Sequence, residues 1–229
     1  HITGLRPVKV AGFEAPFNAR MERMGAKAGA FAVEMITLEN GALIKSLHGV
    51  GPSKGSIWYS IYGSKGRIET AREDADKDGV SRVYVNLDES EGVSNNDVDS
   101  YIPELIESET MKKFAHGGSD YHCLHNAIDY ILGDKNANVI DEYEALDMWM
   151  CGFFGYLSVL SGGIPMEIPD LHDPEVREKF RNDNRCTDPK VAGNQLLPSN
   201  SKGNPDIPEA VYEKRREERA EAVKTIKLA

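Results

Sequence analysis

From Gly29 to Leu87 the chain is a succession of short β-forming runs separated only by turn residues, with no stretch of helical period between them. Parallel strands need a crossover of about a dozen residues or more, so runs this close together can pair only as antiparallel hairpins. Gly29 to Leu38 predicts a strand, and Asn40-Gly41 supplies the positive φ angles of a two-residue hairpin turn, which folds Ala42 to His48 back on it. A Gly/Pro/Ser loop covers Gly49 to Gly55. Ser56 to Tyr62 is aromatic and β-branched, as a buried strand would be. Gly63 to Gly66 then turns the chain into Arg67 to Ala71, and after an acidic turn Ser81 to Leu87 gives a further strand. Pro7 to Phe13 predicts a short strand ahead of these, with residues 14 to 28 as a loop.

The period then changes. Ser119 is placed to cap a helix running to Leu132, with Gly133 as its stop and Tyr121, Leu124, Ile128, Ile131 and Leu132 on one apolar face. Asp141-x-x-Glu144 resembles a capping box and opens a second helix. Its Ala145, Leu146, Trp149, Met150, Phe153, Phe154, Leu157 and Leu160 form a broad stripe expected to face the core. Residues 183 to 207 are rich in Asn, Asp, Pro, Ser and Gly and predict a surface loop. Pro208 starts a charged helix over Glu209 to Lys227. Strands followed by helices predict an α+β fold, an antiparallel β-sheet with helices packed on one face. Residues 1–182 form the body of that domain, and 183–229 are a loop and charged helix appended to it. Trp58, Tyr59, Ile61 and Tyr62 put bulky groups on both faces of their strand, so both faces are expected to be covered, one of them by a second subunit.

Charge narrows the function. The formal net charge is −10, which repels phosphate backbones and anionic membranes, so neither nucleic acid nor membrane is an expected partner. No apolar run is long enough to span a bilayer. The 3 cysteines, Cys123, Cys151 and Cys186, are widely spaced and odd in number, which suits reduced thiols and a cytoplasmic setting; Cys123 and Cys151 are expected to be buried.

Most local motifs fail on inspection. No Gly-x-Gly-x-x-Gly follows a strand, so no cofactor-binding residue is assigned. Asp74-Ala-Asp76-Lys-Asp78-Gly79 begins like a calcium loop, but the twelfth position is Val85, and an acidic turn is the better account. His122 and His125 lie one helical turn apart without a third ligand, so no metal site is assigned. The informative stretch is His116-Gly117-Gly118-Ser119. A glycine pair at a helix start admits a ligand to the first-turn N–H groups, and a histidine there can exchange a hydrogen bond with a hydroxyl. The same residues also make an ordinary glycine loop with an incidental histidine, to which spacing alone leans.

The order of segments resembles the C-terminal half of Gfo/Idh/MocA oxidoreductases. It runs through Tyr62-Gly63-Ser64-Lys65-Gly66-Arg67-Ile68-Glu69, His116-Gly117-Gly118-Ser119-Asp120, Ile140-Asp141, Trp149, Leu160-Ser161-Gly162-Gly163-Ile164-Pro165 and Glu167-Ile168-Pro169-Asp170. The match extends from about residue 2 to about residue 172. The resemblance implies a dihydrodipicolinate-reductase-like domain that binds a sugar or polyol substrate and forms a homo-oligomer through its sheet face. It also implies that NAD or NADP is held by a Rossmann domain preceding this chain, along with the catalytic lysine and the other catalytic group. His116, Gly117, Gly118 and Ser119 are the substrate-binding residues it implies; no catalytic residue is expected in the chain, which alone is expected to be inactive. His-Gly-Gly and Ile-Pro-Asp are similar also to the NAD-dependent glycosidase branch, including N-acetylgalactosaminidases. A non-catalytic binding or scaffold protein is the third alternative.

Overall fold

The computed structural model describes residues 1–49, 58–71, 82–88, 99–103, 111–114 and 118–225. The chain divides into two compact units, His1–Val50 with Ile140–Ala229, and Gly51–Val139. Where the sequence predicts one antiparallel sheet, each unit carries its own, and the change of unit falls between Val50 and Gly51.

In the first unit, β1 (Pro7–Ala15), β2 (Phe31–Leu38), β3 (Leu43–Gly49) and β8 (Met166–Glu167) form an antiparallel sheet in the order β3-β2-β1-β8. The β2–β3 hairpin follows from Asn40-Gly41: Gly41 has φ 86°, and the Asn40 side chain accepts the Ala42 N–H at 3.0 Å. Helix α3 (Glu142–Leu160) lies on one face, started by Asp141, which accepts from the Tyr143 and Glu144 N–H groups. The core between them is Val10, Ile36, Leu38, Met150 and Ile168.

The face that α3 turns to the sheet differs from the predicted stripe. Its buried residues are Asp147, Met150, Gly155 and Ser158, whereas Ala145, Leu146 and Trp149 are exposed. The reason is close approach. A Cβ on Gly12 of β1 would sit inside van der Waals contact with the Gly155 carbonyl oxygen, and one on Gly155 would overlap the Glu34 carboxylate. Only small residues let helix and strand come this near. Ser158, fully buried, accepts the Gly12 N–H at 3.0 Å and donates to the Ile164 carbonyl at 2.6 Å.

Two further segments differ from expectation. Residues 14 to 28 hold a short helix, α1 (Ala19–Met24), capped by Asn18 and stopped at Gly25 with φ 71°. The predicted surface loop 183–207 contains α5 (Pro189–Ala192) and the buried Ala192, Asn200 and Ile207. Asn200 is satisfied from both ends of its amide: it donates to the Lys27 carbonyl and accepts the Lys202 N–H, each at 2.8 Å. Helix α4 (Pro174–Lys179) precedes it, and the predicted charged helix is α6 (Glu209–Thr225), where Arg215 reaches the Arg23 carbonyl at the end of α1.

The second unit holds β4 (Ser60–Gly63), β5 (Gly66–Thr70), β6 (Val83–Leu87) and β7 (Asp99–Tyr101) in sequential antiparallel order, with α2 (Ser119–Ile131). The aromatic run expected to be buried is exposed at Tyr59, Ile61 and Tyr62, and the expected apolar face of α2 is exposed at Leu124, Ile128, Ile131 and Leu132. The acidic Asp74–Gly79 turn lies outside the described residues.

Ser158→Ala strands the buried Gly12 N–H on β1 and removes the bond to the Ile164 carbonyl after α3, so it should lower stability by about 1–3 kcal/mol, measurable by urea unfolding. Replacing the equally small Gly152, whose Cβ would meet nothing, by Ala should stabilise or leave stability unchanged.

Candidate functional site

Of the predicted site, Gly118 and Ser119 are described, whereas His116 and Gly117 lie outside the described residues. Gly118 stands in the cap position of α2, with φ 90° and ψ −5°. Ser119, expected to be the cap, is instead the first residue of the helix. The reason is visible in the neighbour: Gly118 is buried, and a Cβ there would come 3.4 Å from the Met111 carbonyl, on top of an already unfavourable φ. As a glycine, Gly118 brings no side chain of its own to cap the first turn. Behind it Phe114 packs edge-on against Tyr121 (5.4 Å between ring centres), and Tyr121 also contacts His122 and His125. His125 pairs through Nδ1 with Asp129 at 2.6 Å. Among the described residues no group of three or more His, Cys, Asp or Glu is arranged to hold a metal.

A second polar constellation, missed in the sequence, lies in the first unit where β1 begins and α3 starts. Arg6 donates through Nε to the buried Asp147 at 3.1 Å, through a terminal nitrogen to the Pro169 carbonyl at 3.2 Å, and pairs with Asp170 at 3.3 Å. Asp170 accepts both the backbone N–H of His172 at 3.0 Å and its Nδ1 at 2.9 Å. The His172 ring stacks on Tyr143 at 4.6 Å and 25°. Arg177 donates to the Tyr143 hydroxyl and to the Leu171 carbonyl, both at 2.8 Å. The backbone N–H of His172, then its side chain and Arg6, hold the Asp170 carboxyl below the usual carboxylate range. The available signal was the Asp-x-His spacing of Asp170 and His172, which is short enough to be lost among the prolines around it.

A third cluster has the right residue types and the wrong geometry. Ser46 Oγ at 2.8 Å and Glu34 at 3.3 Å both approach Nε2 of His48. A nucleophile–base–acid relay needs its two partners on opposite ring nitrogens. On the second sheet, a shallow open depression of about 420 Å³ is lined by Tyr62, Gly63, Gly66, Arg67, Asn86, Leu87 and Asp88.

The cysteines divide by environment. Cys123 is exposed, against expectation, because α2 leaves its surroundings open. Cys151 is half-buried, and burial first, then the charges of Glu34 and Asp147, push its thiol from 9.0 up to about 11. No helix among the described residues is long and apolar enough to cross a membrane.

No family model matches the chain, and no curated protein does. Solved structures do. The chain is similar to an aldose–aldose oxidoreductase from Caulobacter crescentus solved with glycerol, at 15% identity and TM-score 0.52, over 73% of this chain and 43% of that one. It is similar to a structure described as an oxidoreductase from Thermotoga maritima at 16% identity and TM-score 0.48, over 73% and 42%. A third likeness is to the WlbA dehydrogenase from Bordetella pertussis, solved with NADH and UDP-GlcNAcA, at 20% identity and TM-score 0.42, over 72% and 41%. The chain thus spans less than half the length of each of these oxidoreductases. The Caulobacter likeness establishes a shared fold, an α+β arrangement of antiparallel sheet and helices.

Alkylation at pH 8 should label the exposed Cys123 first. Cys151 should react roughly tenfold more slowly than an ordinary thiol, its smaller thiolate fraction being partly offset by the greater nucleophilicity of a higher-pKa thiolate; peptide mass spectrometry reads both. Asp170 and Asp183 both sit below the usual carboxylate range, the latter held mainly by the Arg185 side chain. Because their folded-state values are lowered, their contribution to stability is present above about pH 4 and is lost as pH falls through those values. Thermal unfolding followed from pH 6 to pH 2 should show a drop in Tm that is shallower in Asp183→Asn.

Proposed function

We propose that this chain is the substrate-binding and oligomerisation part of a Gfo/Idh/MocA-type, NAD(P)-dependent oxidoreductase that acts on a sugar or polyol. The observation that carries the reading is the fold shared with the Caulobacter oxidoreductase, over 73% of this chain but 43% of that one. The order of motifs from Tyr62 to Asp170 supports the family, and in this reading NAD or NADP is held outside the residues of this chain. In this reading the cofactor supplies hydride transfer at a carbinol carbon, and this chain supplies substrate contacts at His116, Gly117, Gly118 and Ser119. The acidic balance excludes nothing in such a role, since a neutral polyol is indifferent to a net charge of −10.

The sheet of the first unit supports the oligomer. β1, β2 and β3 present Phe13, Phe31, Met35, Leu43 and Leu47, all exposed, on the face away from α3. An apolar sheet face of this kind suits burial against a second copy.

The test is to assay the intact protein with polyols and sugars, recording NAD(P)H absorbance, beside this chain alone. Turnover by the intact protein and none by the chain is expected, with His116→Asn raising KM in the intact protein. Nicotinamide-dependent turnover by the chain alone, or none by the intact protein, overturns the reading. Release of sugar from an aryl glycoside with NAD retained moves the protein to the glycosidase branch. For the oligomer, sedimentation at micromolar concentration should give a species larger than one chain, and Leu47→Asp should shift it toward the monomer; a monomeric parent protein refutes the interface.

A further inference from the structure

We propose that Asn40 is a site of spontaneous covalent modification, where the β2–β3 turn assists conversion of the side-chain amide to aspartate and isoaspartate through a cyclic imide. Asn40 is the one asparagine of the chain that is followed by glycine. The step needs the Gly41 backbone nitrogen to reach Cγ of Asn40, and a side chain on residue 41 would obstruct it. Both residues are exposed to water, and a Cβ on Gly41 would meet nothing within 4 Å, so an imide ring has room. Asn200, followed by Ser201, is the contrast. It is 1% exposed, and its amide nitrogen, which would be the leaving group, donates to the Lys27 carbonyl at 2.8 Å.

Two hydrogen bonds of the turn act on the reaction in opposite directions. The Ala42 N–H donates to Asn40 Oδ1 at 3.0 Å. That oxygen takes the negative charge when Cγ is attacked, so a donor already in place stabilises the tetrahedral intermediate as an oxyanion-hole donor does. Against this, the Gly41 N–H is held by the Leu38 carbonyl at 2.8 Å, and a local opening of the turn must free the nitrogen. Few contacts oppose that opening: β3 is the edge of its sheet, and Glu39, Asn40, Gly41, Ala42 and Leu43 are all exposed. The Asn40–Ala42 bond lies within three residues and does not depend on the bond to Leu38.

Water is the only other reactant. The Gly41 nitrogen gives its proton to hydroxide and bonds to Cγ. The Cγ–Nδ2 bond then breaks, and the amide nitrogen takes a proton from water and leaves as ammonia. A second water opens the imide. Opening at the side-chain carbonyl leaves aspartate, which keeps an oxygen for the Ala42 N–H. Opening at the backbone carbonyl leaves isoaspartate, with a further backbone carbon between Leu38 and Ala42, where the Leu38 N–H meets the Ala42 carbonyl at 2.8 Å. That product shifts β3 against β2, and either product adds a negative charge to the turn. The site is independent of the oxidoreductase reading.

The test incubates the whole folded chain at pH 8 and samples it by peptide mass spectrometry and by isoaspartyl methyltransferase labelling. The Asn40 peptide should gain the mass difference between amide and acid ahead of every other asparagine peptide, and its isoaspartate form should be labelled, while Asn200 keeps its amide. Ala42→Pro removes the N–H donor. It should slow conversion roughly fivefold in the folded chain, the worth of one hydrogen bond, and leave the rate in the urea-unfolded chain unchanged. Circular dichroism establishes that the variant is folded. The unsubstituted chain supplies a second measure: hydrogen exchange at the Gly41 amide gives the open fraction, and conversion divided by that fraction should exceed the urea-unfolded rate by the same factor. An intact Asn40 after other asparagines have converted, or aspartate without isoaspartate, would overturn the proposal. So would a corrected native rate no faster than the unfolded one, or an equal effect of Ala42→Pro in urea.

Discussion

The first unit depends on how closely helix α3 approaches strand β1. Gly12 and Gly155 meet without side chains between them, and Ser158 ties the Gly12 N–H to the Ile164 carbonyl across the contact. A backbone approach of this kind trades apolar area for a short hydrogen-bonded crossing. It fixes both the rotation of α3 about its axis and its position along the sheet. The rotation decides which side chains are buried, so Met150 enters the core while Trp149 is left outside, stacked on Phe153, whose ring also lies under the Arg185 guanidinium.

At the other end of the same helix the constraint is electrostatic. Asp147 is buried with Arg6 as its partner, and a buried carboxylate is tolerable only with such a partner. Because Arg6 also reaches Pro169 and Asp170, the start of β1, the first turns of α3 and the segment after β8 are held as one polar assembly. The Asp170–His172 pair is the exposed end of that assembly. Its placement follows from the fold of the first unit.

Much of this was legible residue by residue. Asn40-Gly41 specifies its hairpin through backbone conformation alone, and Asp141 specifies the start of α3 through the N–H groups that it accepts. These are local interactions, complete within a few residues. Helix α1 carries signals of the same kind, Asn18 as a cap and Gly25 as a stop, but only Met21 between them is buried, too little to make an apolar period. The stretch 183–207 misled for the opposite reason. Its Asn200 is polar and reads as loop, yet it is buried because a carbonyl some 170 residues earlier, that of Lys27, completes its hydrogen bonds. The candidate site divided likewise. The glycine at the mouth of α2 was visible, whereas the Arg6–Asp147–Asp170–His172 assembly joins residues far apart in sequence.

The sequence by itself determined the α+β class, the hairpins that turn at Asn40-Gly41 and at Gly63 to Gly66, and the bounds of α2, α3 and α6 to within a few residues. Each rests on backbone propensity, capping or spacing, which neighbouring residues settle among themselves. Only the tertiary structure decided that the strands form two sheets, that α3 meets its sheet through Asp147, Gly155 and Ser158, and that His172 is oriented by a carboxylate. Those outcomes turn on which distant backbone groups can approach one another and which buried charges find partners. An apolar stripe cannot specify either, because hydrophobic burial has no direction, whereas close packing and hydrogen bonds do.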